Sequence, residues 1–398
     1  MLSLWRLNFR KSSHNQLIIK TIRLETGTMK AQQINLRIPG PTPVPDEVLE
    51  AMRAQMINHR GPDFKTLIDR VTDRLMKLFQ TENELFVLTC SGTGAMEASI
   101  VNTLSPGDRV LALVIGAFGQ RYSEIATAFG AEVSTITAPY GEAIDPEDVR
   151  EALEADESIK AVLVTHNETS TGVTNDLASI SRIVDDEDRI MLVDAISSIG
   201  SIDLPVDAWR CDVVVTASQK GWMSPPGLAM VSVSPRAWAA YREAAMPRYN
   251  WDFAKAKSYL ENGQTPWTPA LSTFYALDTG LEIMAKEGLP NIIERHAAVT
   301  RRAREGVRAL GLSLLARDEV ASNTVTAINK PEGIDVAELL KVVREDNNVV
   351  LAGGPGALAG KIFRIGHLGH VTEEDIDDVL TALGQALEKL GYQGGGPV

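Results

Sequence analysis

The sequence predicts an α/β fold, in which a mostly parallel seven-stranded sheet forms a large domain and a smaller α+β domain follows it. From Leu85 onward, apolar runs of four to seven residues alternate with longer amphipathic stretches. Such alternation favours strands and helices that take turns along the chain, which gives a parallel sheet covered by helices. A second rhythm begins after Gly288-Leu289-Pro290, where glycine and proline interrupt a helical pattern.

The individual elements follow from these runs and stretches. We expect the seven strands at 85–89, 110–115, 132–137, 160–165, 190–193, 213–216 and 228–233. Helical patterns occupy 94–103, 118–129, 146–155, 177–187 and 270–287. The second rhythm predicts helix 291–310, strand 323–328, helix 334–345, strands 348–351 and 361–366, and helix 372–390. The predicted domains are a large one at 29–290, with an N-terminal arm, and a small one at 291–398.

Residues 1–28 differ in composition from the rest of the chain. They hold five basic residues against the single acid Glu25. A basic, acid-poor start with serine and leucine is typical of a mitochondrial transit peptide. Met29 offers an alternative start, and we favour that interpretation. We therefore expect a cytoplasmic protein, or a mitochondrial one if residues 1–28 are a native targeting segment.

Composition argues against several classes of protein. The net charge of −13 would repel nucleic acid, and no basic stripe offsets it. The apolar stretch 110–118 is far shorter than the roughly 20 residues of a membrane-spanning helix. Cys90 and Cys211 are too few for a disulfide framework and lie in no metal-ligand spacing. We expect no nucleic-acid partner, no membrane association and no metal.

Lys220 and Asp194 are the most informative residues of the chain. Lys220 comes shortly after the apolar run 213–216, and Asp194 directly follows the run 190–193. In parallel sheets, ligands bind beyond the carboxyl ends of the strands, so these two side chains are expected in one crevice. Together they suit pyridoxal phosphate (PLP), because a lysine forms a Schiff base with its aldehyde and a carboxylate keeps its pyridine nitrogen protonated. A solvated surface lysine is the alternative.

A phosphate site is indicated after the first strand. Ser91-Gly92-Thr93-Gly94 follows that strand and opens a helix, whose free N–H groups and dipole favour an anion. The alternative is a tight turn that Ser91 caps. Glu97 occupies the position of the third glycine in a dinucleotide-binding fingerprint, which weakens the case for an NAD-dependent oxidoreductase.

Three more side chains are candidates for the same crevice. Phe118, just past the second strand, would stack on a flat cofactor ring or belong to the core. Thr169 lies in a polar run after the fourth strand and could donate to the ring hydroxyl oxygen of PLP. Arg364 lies on an apolar strand and would bind a substrate carboxylate or an internal acid. The proline-rich loop 264–269 is consistent with a hinge or linker.

With these motifs the sequence resembles the class V, fold-type I aminotransferases of the alanine–glyoxylate and serine–glyoxylate (or serine–pyruvate) group. The resemblance extends from Pro39 to about Leu390. It rests on segments that occur in the family's order: Pro39-Gly40-Pro41-Thr42-Pro43, Ser91-Gly92-Thr93-Gly94, Gly119-Gln120-Arg121, Ser170-Thr171-Gly172-Val173, Val193-Asp194, Ser218-Gln219-Lys220, Pro225-Pro226-Gly227 and Arg364-Ile365-Gly366. It implies a fold-type I PLP transferase whose large domain binds the cofactor.

The resemblance also implies a role for each matching residue. Lys220 and Asp194 would be catalytic, as the Schiff-base lysine and the partner of the pyridine nitrogen. Further cofactor contacts would come from Ser91, Gly92, Thr93 and Gln219 at the phosphate, Phe118 at the ring and Thr169 at the ring hydroxyl. Arg364 and Gly40 would contact the substrate. Thr268 would reach the phosphate in the neighbouring subunit, which implies a homodimer with a composite active site.

The sequence departs from the family pattern at two positions. Phe118 stands where eukaryotic members often have tryptophan, and Thr265 stands where they have a tyrosine near the interface phosphate loop. The first change alters the shape of the pocket, and the second removes the tyrosine's role. The segment Asn58-His59-Arg60 lies near the site in similar sequences, but no role follows from its residue types.

The expected reaction is a ping-pong transamination from a small amino acid, alanine or serine, to a 2-oxo acid, with glyoxylate as the preferred acceptor. Ureidoglycine–glyoxylate or phosphonate transamination is the alternative, because neighbouring groups share these motifs. A cysteine desulfurase would need a nucleophilic cysteine in the second half, and none follows Cys211. An inactive partner subunit with this fold and an NAD-dependent oxidoreductase are less favoured.

Overall fold

The computed structural model describes residues 34–394. In chain order the strands are β1 (Asn35–Leu36), β2 (Glu84–Leu88), β3 (Arg109–Val114), β4 (Glu132–Thr137), β5 (Ile159–Thr165), β6 (Asn167–Glu168), β7 (Val173–Thr174), β8 (Ile190–Asp194), β9 (Val213–Ala217), β10 (Ala229–Val233), β11 (Val325–Asn329), β12 (Val349–Val350), β13 (Ala352–Gly353) and β14 (Ile362–Gly366). The α-helices are α1 (Asp46–Ala51), α2 (Pro62–Phe79), α3 (Gly92–Thr103), α4 (Ala117–Ala128), α5 (Pro146–Ala155), α6 (Leu177–Asp186), α7 (Pro235–Glu243), α8 (Phe253–Leu260), α9 (Leu271–Glu287), α10 (Leu289–Ala309), α11 (Val336–Asn347) and α12 (Glu373–Lys389).

Seven strands form the main sheet of the described chain, in the order β2-β10-β9-β8-β5-β3-β4. Neighbouring strands are parallel from β9 to β4, whereas β10 is antiparallel to both β9 and β2. The predicted α/β fold with a mostly parallel seven-stranded sheet is confirmed. Since β2 runs in the same direction as β9, its carboxyl end lies at the same edge as those of the parallel strands. That edge is where ligands bind in such folds.

Burial on both faces explains the composition of the central strands. Every residue of β9 is buried, and its sequence is rich in valine. Branched side chains suit a strand that is covered on both sides. Val214 belongs to the hydrophobic core on one face, and Val213 and Val215 belong to the core on the other. The sheet therefore separates two cores, each closed by helices.

The C-terminal part of the chain has its own sheet and core. Three strands in the order β11-β14-β13 form this sheet, and α10, α11 and α12 contribute to the apolar cluster around it. The N-terminal strand β1 pairs in parallel with β12, and the adjacent Arg37 forms a 2.8 Å ion pair with Asp375. The described residues belong to one compact unit. The predicted division near residue 290 stays a prediction.

Local sequence signals explain where α9 ends and α10 begins. Gly288 separates the two helices with a φ of +82°, a backbone conformation that glycine adopts without a steric cost. Pro290 lies in the first turn of α10, where its missing N–H costs no helical hydrogen bond. The predicted break at Gly288-Leu289-Pro290 is thus confined to one residue, and α10 starts two residues earlier than expected.

The structure corrects some details of the predicted elements. The expected strand 348–351 divides into β12 and β13, because the chain changes its pairing partner at Leu351 from β1 to β14. Helices α1, α2, α7 and α8 are additional to the predicted set. The prediction about residues 1–28, and with it the cellular location, lies outside the described residues. Among residues 34–394, none of the helices is both long and apolar enough to span a membrane.

Candidate active site

The carboxyl edge of the main sheet borders a cavity of about 260 Å³. Nine residues that the sequence predicts as site residues line it: Gly40, Ser91, Gly92, Thr93, Phe118, Thr169, Asp194, Gln219 and Lys220. The rest of the lining in the described chain comes from Pro41, Arg121, Asn167, Ile196, Ser197 and Pro226. Residues separated by up to 186 positions, from Gly40 to Pro226, therefore meet in one cavity, as expected for the ends of parallel strands.

Lys220 enters this cavity shortly after β9. Its Nζ donates a 2.5 Å hydrogen bond to the carbonyl oxygen of Pro39. Burial lowers the pKa of Lys220 to about 8; Asp194 opposes this shift and Arg364 adds to it. Near neutral pH, a larger fraction of this amine is uncharged than in a solvated lysine. An uncharged amine is the nucleophilic form.

Gly40 leaves room for the Lys220 amine. A Cβ atom on Gly40 would lie 2.5 Å from Lys220 Nζ, well inside van der Waals contact. The backbone at Gly40 also has a φ of +138°, which side chains disfavour. A larger residue at this position would have a strained backbone and would displace the end of the Lys220 side chain. Its predicted contact with substrate stays a prediction.

Asp194 ends β8 and is 3% exposed. Its Oδ1 accepts a 2.9 Å hydrogen bond from the Ile196 N–H, and its Oδ2 accepts a long 3.4 Å bond from Thr165 Oγ1. Burial raises the pKa of Asp194 to about 6, although the Ile196 bond and the charge of Lys220 reduce the effect. A carboxylate can accept about four hydrogen bonds. This one therefore retains capacity for a donor in the cavity.

The start of α3 forms the wall where the sequence predicts a phosphate. Ser91 Oγ accepts a 3.2 Å hydrogen bond from the Gly94 N–H and so caps the helix. The capped turn and the predicted anion site are therefore compatible, since Ser91 also lines the cavity. A Cβ on Gly92 would lie 2.6 Å from Ile196 Cδ1, so glycine lets the backbone approach the end of β8 closely.

Phe118 and Arg121 reach the cavity from the first turns of α4. Phe118 is half-buried and lines the cavity, so its ring is accessible to a ligand. The guanidinium carbon of Arg121 lies 4.7 Å from the centroid of this ring, a cation–π distance. Of the two interpretations of Phe118, the geometry favours a surface for stacking over a core residue.

Arg364 lies beside the cavity lining rather than in it. Its Nε and Nη2 donate to the Gly353 carbonyl at 3.0 and 2.7 Å, and its Nη1 donates to the Thr169 carbonyl at 2.8 Å. Burial lowers the pKa of Arg364, and the charge of Glu168 opposes this shift, but within residues 34–394 no carboxylate lies at ion-pair distance from the guanidinium. The internal acid that the sequence left open as a partner is therefore not what holds this arginine. Backbone carbonyls fix it instead, and they accept from three of its five N–H groups.

The loop 264–269 lies away from the cavity of its own chain, and Thr268 is exposed. Arg60 holds this loop, because its guanidinium donates to the carbonyl oxygens of Thr265 and Pro266 at 2.6 and 3.0 Å. The segment at Asn58-His59-Arg60, to which the sequence gave no role, thus supports the loop. A contact of Thr268 with the phosphate site requires a second subunit and stays a prediction.

Asn167, Ser197 and Arg121 line the cavity but were not among the predicted contacts. Asn167 Nδ2 donates to Ser197 Oγ and to Thr324 Oγ1, at 2.9 Å each. Signals for all three exist in the sequence. Asn167 belongs to the polar run after β5, Ser197 follows Asp194 closely, and Arg121 lies one helical turn after Phe118.

The residues at this cavity fit pyridoxal phosphate. Gln219 Oε1 is buried and has no hydrogen-bond partner within residues 34–394. This oxygen is an acceptor, so a ligand or water that completes it must supply a donor, while the Nε2 group of the same amide remains available to an anion. The partly neutral Lys220 amine suits the aldehyde of PLP. Asp194, which can accept further hydrogen bonds, suits the ring nitrogen. The start of α3, on the wall of the cavity, suits the phosphate. Across the same residues, no cluster of three His, Cys, Asp or Glu side chains could hold a metal.

The fold and the cavity define a class of protein: an α/β enzyme of fold-type I, with a lysine and an aspartate at the carboxyl edge of a mostly parallel sheet. The family model described as aminotransferase class-V matches residues 34–379, and the chain belongs to this family. It is therefore an enzyme of the transaminase type, from a PLP-dependent family. The resemblance seen in the sequence is confirmed.

Of two relatives and one solved structure similar to this chain, one relative and the structure are named aminotransferases. The chain is 38% identical over 357 residues to a serine–glyoxylate aminotransferase of Methylorubrum extorquens, covering 87% of this chain and 89% of the relative. It is 44% identical over 360 residues to a protein named the small subunit of a soluble hydrogenase, from Synechococcus sp., covering 90% and 94%. The crystal structure of an alanine–glyoxylate aminotransferase from Nostoc sp. superposes with a TM-score of 0.87 at 32% identity, covering 94% and 100%.

Proposed function

We propose that this chain transfers the amino group of a small amino acid, alanine or serine, to a 2-oxo acid, with glyoxylate as the main acceptor, by a ping-pong mechanism. One observation carries the proposal: the Lys220 amine and the Asp194 carboxylate line the same cavity. Thr169 connects this cavity to Arg364, because it lines the wall and its carbonyl accepts from the guanidinium. A serine–glyoxylate relative and an alanine–glyoxylate structure support the choice of substrates.

PLP, when bound, supplies an electron sink for the charge that remains after the substrate α-proton leaves. Lys220 would hold the cofactor covalently through its amine. Once released, Lys220 Nζ would accept the α-proton as general base, which its lowered pKa favours. Asp194 would accept a hydrogen bond from the protonated ring nitrogen, because its Oδ2 accepts only one long hydrogen bond from the protein. The carboxylate charge would keep the proton on that nitrogen.

The remaining residues would bind and orient. Ser91, Gly92 and Thr93 would hold the phosphate at the start of α3, where helix N–H groups favour an anion. Gln219 lines the cavity and would donate to the phosphate through its side-chain Nε2 group. Arg364 would bind the substrate carboxylate with the N–H groups that the Gly353 and Thr169 carbonyls leave free.

A half-reaction assay tests the proposal directly. The purified protein is loaded with PLP, and its absorbance is recorded before and after addition of alanine or serine, then of glyoxylate or pyruvate. We expect conversion by the donor and reversal by the acceptor, and no conversion in Lys220→Ala. A Lys220→Ala variant that transaminates like the wild type would contradict the role of this lysine.

The same assay decides between the alternatives. Conversion by ureidoglycine or an aminophosphonate, with none by alanine or serine, would establish the alternative substrate class. Absence of conversion by every donor, in protein that binds PLP, would establish an inactive partner subunit. The relative named as a hydrogenase subunit makes that outcome worth testing.

We also propose that the active site is completed by a second copy of the chain. Thr268 is exposed and lies outside its own cavity, on a loop whose Trp267 stacks on Tyr249 with ring centroids 5.0 Å apart. Tyr249 is 68% and Trp267 36% exposed, a surface that a partner would cover. Sedimentation should give a dimer. A composite site would be refuted if the wild-type protein were a monomer and that monomer bound PLP as tightly as a dimer does.

A further inference from the structure

Glu168 and Ser170 are buried beside the cavity, yet the proposed chemistry uses neither. Glu168 is 0% and Ser170 1% exposed. Their neighbours Asn167 and Thr169 line the cavity. The segment 167–170 therefore has two sides, because alternate residues face the cavity and the opposite element. That element is the start of α4.

The second side satisfies the first three N–H groups of α4. Glu168 Oε2 accepts hydrogen bonds from the Phe118 N–H at 2.8 Å and the Gly119 N–H at 3.1 Å. Ser170 Oγ accepts from the Ala117 N–H at 2.9 Å. Groups at this position have no partner inside their own helix. We call the side chains of Glu168 and Ser170 the helix clamp.

The clamp is closely fitted and internally braced. Glu168 Oε1, the second carboxylate oxygen, accepts a 3.0 Å hydrogen bond from the Ser170 N–H. A Cβ on Gly116 would lie 2.5 Å from Glu168 Cγ, so glycine before α4 is what admits the carboxylate. A negative charge at a helix start is also stabilised by the helix dipole. A single hydrogen-bond network thus connects the three N–H groups of α4 with both carboxylate oxygens of Glu168 and the hydroxyl of Ser170.

This arrangement is joined to the cavity through α4 and through charge. Phe118 and Arg121 lie on α4 and line the cavity, so a shift of the helix start moves both. The Glu168 charge raises the pKa of Asp194 and of Lys220, in each case as a smaller contribution than burial. The same carboxylate therefore fixes one wall of the cavity and adds to its field.

We propose that the helix clamp is a positioning device for transamination: it holds the start of α4 so that Phe118 and Arg121 form the wall against which the cofactor binds, and its carboxylate supplies negative charge near Lys220. This inference rests on the proposed function and deepens it. Glu168 and Ser170 act through α4, and neither has to touch the substrate.

Two variants and one control test the device. Glu168→Gln keeps the size of the side chain but removes the charge and turns one acceptor into a donor that faces N–H groups. Ser170→Ala removes only the acceptor for Ala117. Asp212→Asn is the control, because Asp212 is also buried and accepts a backbone N–H, from Met191, at the other end of the sheet.

The first readout is the affinity of the apoenzyme for PLP. We expect Glu168→Gln to weaken it by roughly tenfold or more, the change produced by losing a hydrogen bond to a charged group, and Ser170→Ala to weaken it less. Asp212→Asn should lower the melting temperature but retain wild-type affinity. If Glu168→Gln does not fold, Ser170→Ala decides, and wild-type affinity in that variant would overturn the positioning role.

The second readout is a pH titration of the absorbance of the PLP-loaded protein. The negative charge of Glu168 favours the protonated form of the Schiff base that Lys220 would form with PLP. Its loss in Glu168→Gln should therefore move the midpoint of the Schiff-base titration to lower pH. Ser170→Ala and Asp212→Asn should titrate like the wild type. A folded Glu168→Gln variant with unchanged affinity and midpoint would refute the inference. Both readouts use the cofactor alone, so they stay valid if the substrates are other than proposed. Wild-type protein that does not bind PLP would overturn the proposed function itself.

Discussion

Two buried aspartates lie beside opposite ends of β8, and Asp194 is the one that lines the candidate active-site cavity. Asp212 is 2% exposed and accepts hydrogen bonds from the Met191 N–H at 2.9 Å and from Ser234 Oγ at 2.7 Å, with Arg236 Nε 3.7 Å away. Asp194 is buried to the same degree but has one good bond and one of 3.4 Å. Burial raises the pKa of both carboxyl groups.

The difference shows that burial alone does not identify a functional carboxylate. Asp212 has a hydrogen bond of normal length on each oxygen and a cation nearby, so its charge is compensated within the protein. Asp194 has unused acceptor capacity beside a cavity that also contains a lysine. A buried charge that lacks partners is costly unless a ligand completes it. The functional signal is therefore a buried carboxylate with a weak second hydrogen bond beside a cavity, rather than burial itself.

The largest expected effect is on turnover. Asp194→Asn should lower kcat/KM by roughly 10²- to 10³-fold, the range for removing one preorganised electrostatic contact, because the ring nitrogen loses its carboxylate. Asp212→Asn is the matched control and should retain turnover once folded. Steady-state kinetics of both variants at saturating PLP check this. Equal losses in the two variants would mean that both aspartates act only on stability.

The next effect is on the pH dependence of stability. The folded pKa of Asp194, about 6, lies above its ordinary 3.8, so ionisation of this group costs stability as pH rises through that window. For the apoprotein, the gap corresponds to on the order of 3 kcal/mol. Asp194→Asn lacks this cost. Its free energy of unfolding should therefore rise by that amount, relative to the wild type, between pH 4 and pH 7. Denaturant unfolding across this range measures the gain, and a constant difference between the two proteins would contradict it.

Three buried histidines give the background against which that gain is measured. Burial lowers the pKa of His166 to about 4 and those of His296 and His367 to about 3. The folded protein then binds fewer protons than the unfolded chain below pH 6.5, so stability falls as pH decreases from there. Asp194 has the opposite effect, because its raised pKa makes the folded protein bind more protons than the unfolded chain. In Asp194→Asn, stability should therefore fall more steeply as pH decreases.

A smaller effect is expected at Arg364. Its guanidinium has five N–H donors, and the Gly353 and Thr169 carbonyls take three of them. Like Asp194, it therefore has unused capacity near the cavity. Arg364→Ala should weaken substrate binding by about 1.5–3 kcal/mol, seen as a raised KM, and Arg364→Lys should recover only part of it. An unchanged KM in the alanine variant would exclude the carboxylate role.

Much of the fold and of the site follows from local patterns in the sequence. The apolar runs place the central strands of the main sheet, because strands buried on both faces must be apolar throughout. The edge strand β4 is mostly exposed and mixes apolar with polar residues, yet its predicted position also agrees with the structure. Lys220 and Asp194 are predictable since each follows such a run. The positions of Ser91 and Phe118 follow from the same rule, and the structure brings all four to one cavity.

The rest depends on contacts that the sequence does not encode locally. Glu168 satisfies the start of α4 from fifty positions away, so no local pattern marks it as different from a solvated acid. Arg364 is held by carbonyls of Gly353 and Thr169, and backbone groups have no sequence signature. The pairing of β1 with β12 joins residues 314 positions apart, and no local sequence pattern indicates it.

The smallest effects are expected when the hydroxyl partner of each aspartate is removed, which tests the two aspartates against each other. Ser234→Ala removes the 2.7 Å bond to Asp212 and the cap of α7, and it should cost about 1 kcal/mol of stability with little change in turnover. Thr165→Val keeps its shape and removes only the 3.4 Å bond to Asp194, so its stability should change less. That bond lowers the pKa of Asp194, and its loss should therefore move the acid limb of the activity profile to higher pH. Thermal unfolding and a pH–rate profile of both variants separate the two outcomes. If Ser234→Ala shifted the profile and Thr165→Val did not, the functional aspartate would be the wrong one.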